Sequence, residues 1–171
     1  LEFIPEDASR ESLLDDVQEM EQMVTEILET ARLKSEYGHL NLKETDLVKL
    51  IRDICITFEG QNPEIRFENT PEKCQIFADA EQIETVLKNL LANALKYSTV
   101  GNAPVEICLK KSDAGTFIEI QDHGQGIQDE ELGFIFEPFY RTDKSRNRKT
   151  GGYGLGLSLC KTIIEAHGGT I

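Results

Sequence analysis

Residues 79–97 read DAEQIETVLKNLLANALKY, and a single helix fits them with two faces of opposite character. Asp79 followed three residues later by Gln82 gives a capping-box start, and apolar residues then recur at helical spacing as far as Tyr97. Ile83, Leu87, Leu90, Leu91 and Ala94 share one sector, which is the core face. Asn89, Asn93 and Lys96 share another, within about 60° of each other at 100° per residue. Asparagine is a poor helix former, so two on one stripe waste stability unless they bind something. An ordinary polar face is the alternative. Amide oxygens suit a hard cation such as Mg²⁺, which keeps several waters and shares phosphate oxygens, and Lys96 can neutralise those phosphates.

Downstream, Val105, Ile107 and Leu109 alternate, as do Ile118 and Ile120, with a turn over Asp113 to Gly115, which predicts a β-hairpin. Directly after it comes Asp122-His123-Gly124-Gln125-Gly126-Ile127. A carboxylate there can accept from an exocyclic amine, and the glycines let backbone approach a flat ring, although the same pattern occurs in many turns. Gly151-Gly152-Tyr153-Gly154-Leu155-Gly156-Leu157 then leads into a final helix, Leu155 to His167, stopped by Gly168 and Gly169. Glycine-rich backbone at a helix N-terminus points N–H groups at an anion, so phosphate is the natural guest. The stretch is neither a Walker loop nor a dinucleotide turn, and a linker would not ordinarily alternate Gly with Leu. Between these two glycine stretches, Phe136-Glu137-Pro138-Phe139-Tyr140-Arg141 anchors a polar, basic segment, Thr142 to Thr150, that reads as a lid over nucleotide.

Upstream, Ile65 to Glu68 and Gln75 to Ala78 read as short strands, and Asp46 caps a helix carrying Leu47, Leu50, Ile51, Ile54 and Phe58 on one stripe. Leu13, Val17, Met20, Val24, Ile27 and Ala31 form a heptad seam that one helix cannot bury alone. Pro5 to Ser9 reads as a turn after the stub of another apolar helix, Leu1 to Ile4. The organisation expected is therefore a helical-hairpin arm over 1–36, a connector over 37–45, and a mixed α and β domain over 46–171 that stops before its last strand.

The 171 residues carry a net charge of −13, which argues against duplex nucleic acid as a partner. Residues 1–36 hold eleven acidic against three basic side chains, whereas Arg141 to Lys149 packs five basic residues around one Asp, a local field suited to polyphosphate. Cys55, Cys74, Cys108 and Cys160 form no metal-ligand or disulfide pattern and fit a reducing cytosol. No run approaches the roughly 18 apolar residues of a membrane span, so any membrane attachment would come from segments outside these residues.

Taken in order, these elements resemble the N, G1, F and G2 boxes of sensor histidine kinases: Asn89 to Ser98, Asp122 to Ile127, Phe136 to Arg141 and Gly152 to Leu157. The heptad helix is similar to the second helix of that family's dimerisation and phosphotransfer hairpin. The resemblance implies an α+β fold of the Bergerat type, a two-layer sandwich with a mixed sheet backed by helices. It also implies that Asn93 holds Mg²⁺ with Asn89 assisting, that Lys96 and Arg141 meet the phosphates of ATP, and that Asp122 reads the adenine amine. Tyr97, Ile127, Phe139, Leu155 and Leu157 would line the nucleotide, with Gly124, Gly126, Gly152, Gly154 and Gly156 giving it access to backbone. Two positions depart from the family pattern: Tyr153 stands where Thr or Ser is usual, and His123 where Asn is common.

The activity implied is transfer of the γ-phosphate to a histidine and then to a response-regulator receiver domain, in a homodimer built on the heptad helix, within the cytoplasmic portion of an inner-membrane sensor. His39, His123 and His167 do not match the family's acceptor pattern, so no phosphoacceptor is expected within these residues. Related hydrolytic ATPases place a Glu at the first N-box position to activate water; Asn89 cannot take a proton. A nucleotide-binding regulatory module without phosphotransfer is the remaining alternative.

Overall fold

The computed structural model describes residues 6–35, 39–68, 71–98, 103–141 and 153–171. Helix α1 (Glu6–Lys34) leads to strand β1 (Lys43–Asp46), helix α2 (Leu47–Thr57), strands β2 (Ile65–Glu68) and β3 (Gln75–Ala78), and helix α3 (Ala80–Tyr97). The hairpin β4 (Val105–Ser112) and β5 (Gly115–Gln121), a single turn α4 (Asp129–Leu132) and helix α5 (Gly156–Ala166) complete it. Two expectations change. Glu6 to Ser9, read as part of a turn, belong to the first turn of α1. Part of the expected connector is a strand: Lys43–Asp46 pairs antiparallel with β3, a pairing that local pattern cannot announce because only Thr45 of the four is buried.

β2, β4 and β5 form a mixed sheet, with β2 parallel and β5 antiparallel to β4. Its apolar positions alternate, so Val105, Ile107, Leu109, Ile118 and Ile120 face the helices on one side of the pleat. Against them pack Ile51 and Ile54 of α2 with Ile83, Leu87, Leu91 and Ala94 of α3, giving the two-layer sandwich expected. Asp46 caps α2 by accepting from Val48 N at 3.1 Å, as its position predicts.

α3 divides its circumference three ways. Ile83, Leu87, Leu91 and Ala94 meet the sheet, whereas Val86 and Leu90, about 60° and 100° round from Asn89, pack with Leu159, Cys160 and Ile163 of α5. Leu90 thus belongs to a second apolar cluster and not to the core face assigned from periodicity. The remaining arc carries the Asn stripe.

The capping box at the start of α3 is half made. Asp79 accepts from Gln82 N at 3.3 Å, but the Gln82 amide points instead to Glu29 of α1, at 3.5 Å. Leu33, near the end of α1, packs on the second cluster, while the seam from Leu13 to Ile27 is left 41–63% exposed. No helix among the described residues is long and apolar enough to cross a membrane.

Leu91 is fully buried at the meeting of α3 with the sheet. Leu91→Ala is expected to lower unfolding free energy by about 2–5 kcal/mol, the cost of lost burial plus a cavity. Urea titration checks it, and a loss below about 1 kcal/mol would mean the core closes over the gap.

Candidate nucleotide-binding site

α5 runs antiparallel along the first half of α3. Gly156 lies beside Asn89, Cys160 Sγ approaches Val86 O at 3.8 Å, and His167 Nε2 accepts from Asp79 N at 3.0 Å. The glycine-rich start of α5 is therefore delivered to the Asn stripe. The approach is close: a Cβ on Gly156 would stand 2.8 Å from Asn89 Oδ1, so only glycine fits without moving the amide. Asn89 is fixed from the other side, donating from Nδ2 to Thr85 O at 3.0 Å, which turns its oxygen toward α5. Ser158 Oγ donates to Leu155 O at 2.8 Å and tightens the first turn behind it.

Two further close approaches join the other stretches. A Cβ on Gly124 would stand 2.5 Å from Tyr97 O, which presses the loop after β5 onto the end of α3. The same loop is braced by Gly124 N donating to Asp122 Oδ1 at 2.8 Å. Gly154, in the left-handed region at φ 75°, lies so near Tyr140 that a Cβ would meet its carbonyl at 2.5 Å, and its own oxygen accepts from Phe139 N at 2.9 Å. Phe139 itself has φ 64°, an uncommon conformation for a bulky residue, and its side chain is exposed. All four sequence stretches are thus stitched into one surface by close approaches at glycines, two onto main chain and one onto the Asn89 amide.

On that surface Asn93 is half-buried, one turn beyond Asn89. Lys96 Nζ stands 5.1 Å from the ring centre of the partly exposed Tyr97. Asp122, Gly126, Ile127, Arg141 and Tyr153 are exposed, Leu155 is buried, and Leu157 is half-buried. Gly126 sits in a turn at φ 71°. Gly152 and the lid from Thr142 to Thr150 lie outside the described residues. A cavity of about 320 Å³ opens elsewhere, between the end of α2 and the far side of α3, lined by Phe58, Gln61, Asn62, Ala92, Leu95 and Lys96. Of the candidate site residues only Lys96 lines it.

Cys160 offers no nucleophile here. Burial, with a smaller contribution from the charge of Glu26, pushes its thiol up to about 12. No group of three or more His, Cys, Asp or Glu side chains able to hold a metal ion occurs among the described residues.

Sequence reading missed Asn41 and the pairing of Asp79 with His167. Asn41 N donates to Asp79 Oδ2 at 2.9 Å, and nothing in their spacing joins these three residues. It also missed the seat of Asn89 on Gly156, although a glycine in a first helical turn, where alanine is favoured, is a signal for close contact.

A two-layer sandwich with asparagines on its central helix and a glycine-rich loop opening the next helix defines a nucleotide-binding ATPase class. Residues 78–171 match the family described as histidine kinase-, DNA gyrase B- and HSP90-like ATPase, and the chain belongs to that family. Among relatives, the chain is 37% identical to the sensor histidine kinase YkoH of Bacillus subtilis (strain 168) over 94% of its own length, and that alignment spans 35% of YkoH. It is 35% identical to the sensor protein RstB of Escherichia coli (strain K12), over 96% of this chain and 38% of RstB. The histidine kinase AdeS of Acinetobacter baumannii superposes with a TM-score of 0.74 at 26% identity, covering 96% of this chain and 76% of that one. The chain therefore spans little more than a third of the length of the first two relatives.

Gly124→Ala is expected to cost about 1–3 kcal/mol, because the added methyl meets main-chain oxygen that must be displaced. Comparison of urea midpoints tests this; an unchanged midpoint would show that the loop after β5 moves freely off α3.

Proposed function

We propose that this chain is the ATP-binding catalytic core of a two-component sensor histidine kinase. In this reading, ATP lies on the surface made by the four stretches. Asn93, with Asn89 assisting, would hold Mg²⁺ through amide oxygens, and the ion would offset phosphate charge. Lys96 and Arg141 meet the phosphates, together with backbone N–H groups at the start of α5 and the loop through Gly152, Gly154 and Gly156. Asp122 accepts from the adenine amine, and Tyr97, Ile127, Phe139, Leu155 and Leu157 line the nucleotide. Gly124 and Gly126 keep side chains off the ring.

The observation that carries the kinase reading is the setting of Asn89. Its nitrogen is spent on Thr85 O and its oxygen faces Gly156, so position 89 supplies no base for water. A nucleophile whose attacking atom carries no proton to be removed is then required. An imidazole nitrogen qualifies: it forms a bond to the γ-phosphorus as the bond to the β-phosphate oxygen breaks and ADP leaves, and the ring proton passes to solvent. The acceptor would sit on a separate hairpin helix, since His39, His123 and His167 lack the family's acceptor pattern. The exposed seam of α1 supports assembly as a homodimer, and a response-regulator receiver domain would take the phosphoryl group onto aspartate. On this reading the chain belongs to the cytoplasmic portion of an inner-membrane sensor.

Asp122→Asn is expected to weaken ADP about ten- to hundredfold, the loss of one hydrogen bond to a charged group. Calorimetric titration with equal affinity for both forms would remove the adenine assignment.

Incubated with labelled ATP and a protein carrying the family's first hairpin helix, this chain is expected to place acid-labile label on that partner and none on itself. Asn93→Ala should abolish the Mg²⁺-dependent transfer while metal-free ADP binding persists. Label on His39, His123 or His167 would overturn the donor role, and binding without transfer to a matched acceptor would favour the regulatory module.

A further inference from the structure

α3 and α5 are held together at both ends of their antiparallel contact. At the phosphate end Gly156 seats Asn89; at the far end His167 Nε2 accepts from Asp79 N at 3.0 Å. The two contacts are ten residues apart on α3, about 15 Å along its axis. His167 is itself fixed, its Nδ1 standing 2.8 Å from Ile163 O, so Nδ1 carries the hydrogen and Nε2 is the acceptor.

The far contact is also where the segment leaving α1 is fastened. The Asp79 carboxylate is buried and divides its oxygens: Oδ1 caps α3 at Gln82 N, and Oδ2 accepts from Asn41 N at 2.9 Å. Gln82 reaches on to Glu29 of α1. Linker, α1, nucleotide helix and phosphate-loop helix therefore meet within one turn of Asp79.

We propose that Asp79 and His167 form a coupling node, positioning residues through which nucleotide occupancy between the middle of α3 and the start of α5 is transmitted to the linker at Asn41. The reasoning is mechanical. Two stiff helices pinned at both ends cannot be drawn together at one end without changing the geometry at the other, and the linker amide hangs on that other pin. Coupling is reciprocal, so displacement of α1 that strains Asn41 alters nucleotide affinity by the same factor. The proposal rests on nucleotide binding at the surface described above and not on the identity of the phosphoacceptor.

The test is amide hydrogen exchange at Asn41, with and without saturating ADP, on the full chain. In the parent protein ADP is expected to slow that exchange about fivefold or more, the lower end of ordinary coupling between sites. His167→Gln offers Oε1 where Nε2 stands and should keep the response. His167→Asn keeps a donor for Ile163 but withdraws the acceptor from Asp79 N, and should lose the response while ADP affinity holds within about threefold. Asp79→Asn, leaving one acceptor for two N–H donors, should lose it from the other side. ADP binding to the parent with no change at Asn41 would overturn the coupling alone, as would a parent-like response in His167→Asn. Titration heats showing that ADP does not bind the parent would remove the nucleotide reading, and this coupling with it.

Discussion

The structure depends on how closely α5 lies along α3. Side chains on two helices ordinarily hold their axes some 8–10 Å apart, but at the glycine that opens α5 there is no side chain, and the asparagine amide of α3 fills the space. That one contact fixes where the glycine-rich start of α5 stands relative to the asparagine amides of α3. The same device recurs where Gly124 meets the end of α3 and where Gly154 meets Tyr140. The candidate site is thus assembled by close approach at glycines, which explains why so many of its residues are glycines.

The division of α3 into three arcs follows from helical geometry. One arc is committed to the sheet and one to α5, and the stripe left over is adjacent to the second because Val86 and Asn89 are neighbours on the wheel. A helix buried on two sides has little freedom to rotate. Its open arc is therefore a stable platform, and the cap at Asp79 fixes its start. Preorganisation of this kind is what lets exposed polar groups act on a charged ligand without first being ordered.

α1 relates to the rest of the chain in two distinct ways. Its last turns are docked, Leu33 on the α5 cluster and Glu29 toward Gln82, whereas its seam stands open to solvent beside many acidic side chains. The docked end ties this exposed seam to α3 through Gln82.

Much of this was legible along the chain. Period-2 alternation gave β4 and β5, a capping aspartate gave the starts of α2 and α3, and four motifs in order gave the family, because each depends on neighbours in sequence. β1 was not legible: of Lys43 to Asp46 only Thr45 is buried, and only pairing with the distant strand β3 makes them a strand. Nor was the helical turn at Glu6 to Ser9, where the preceding proline suggests a break as readily as a start. The residue types able to bind a nucleotide were thus set by sequence alone. Their assembly into one surface, with Asn89 against Gly156, Tyr97 against Gly124 and Asp79 between Asn41 and His167, was decided by tertiary packing, because contacts between distant segments are chosen by how the whole core closes and leave no periodic trace in any one of them.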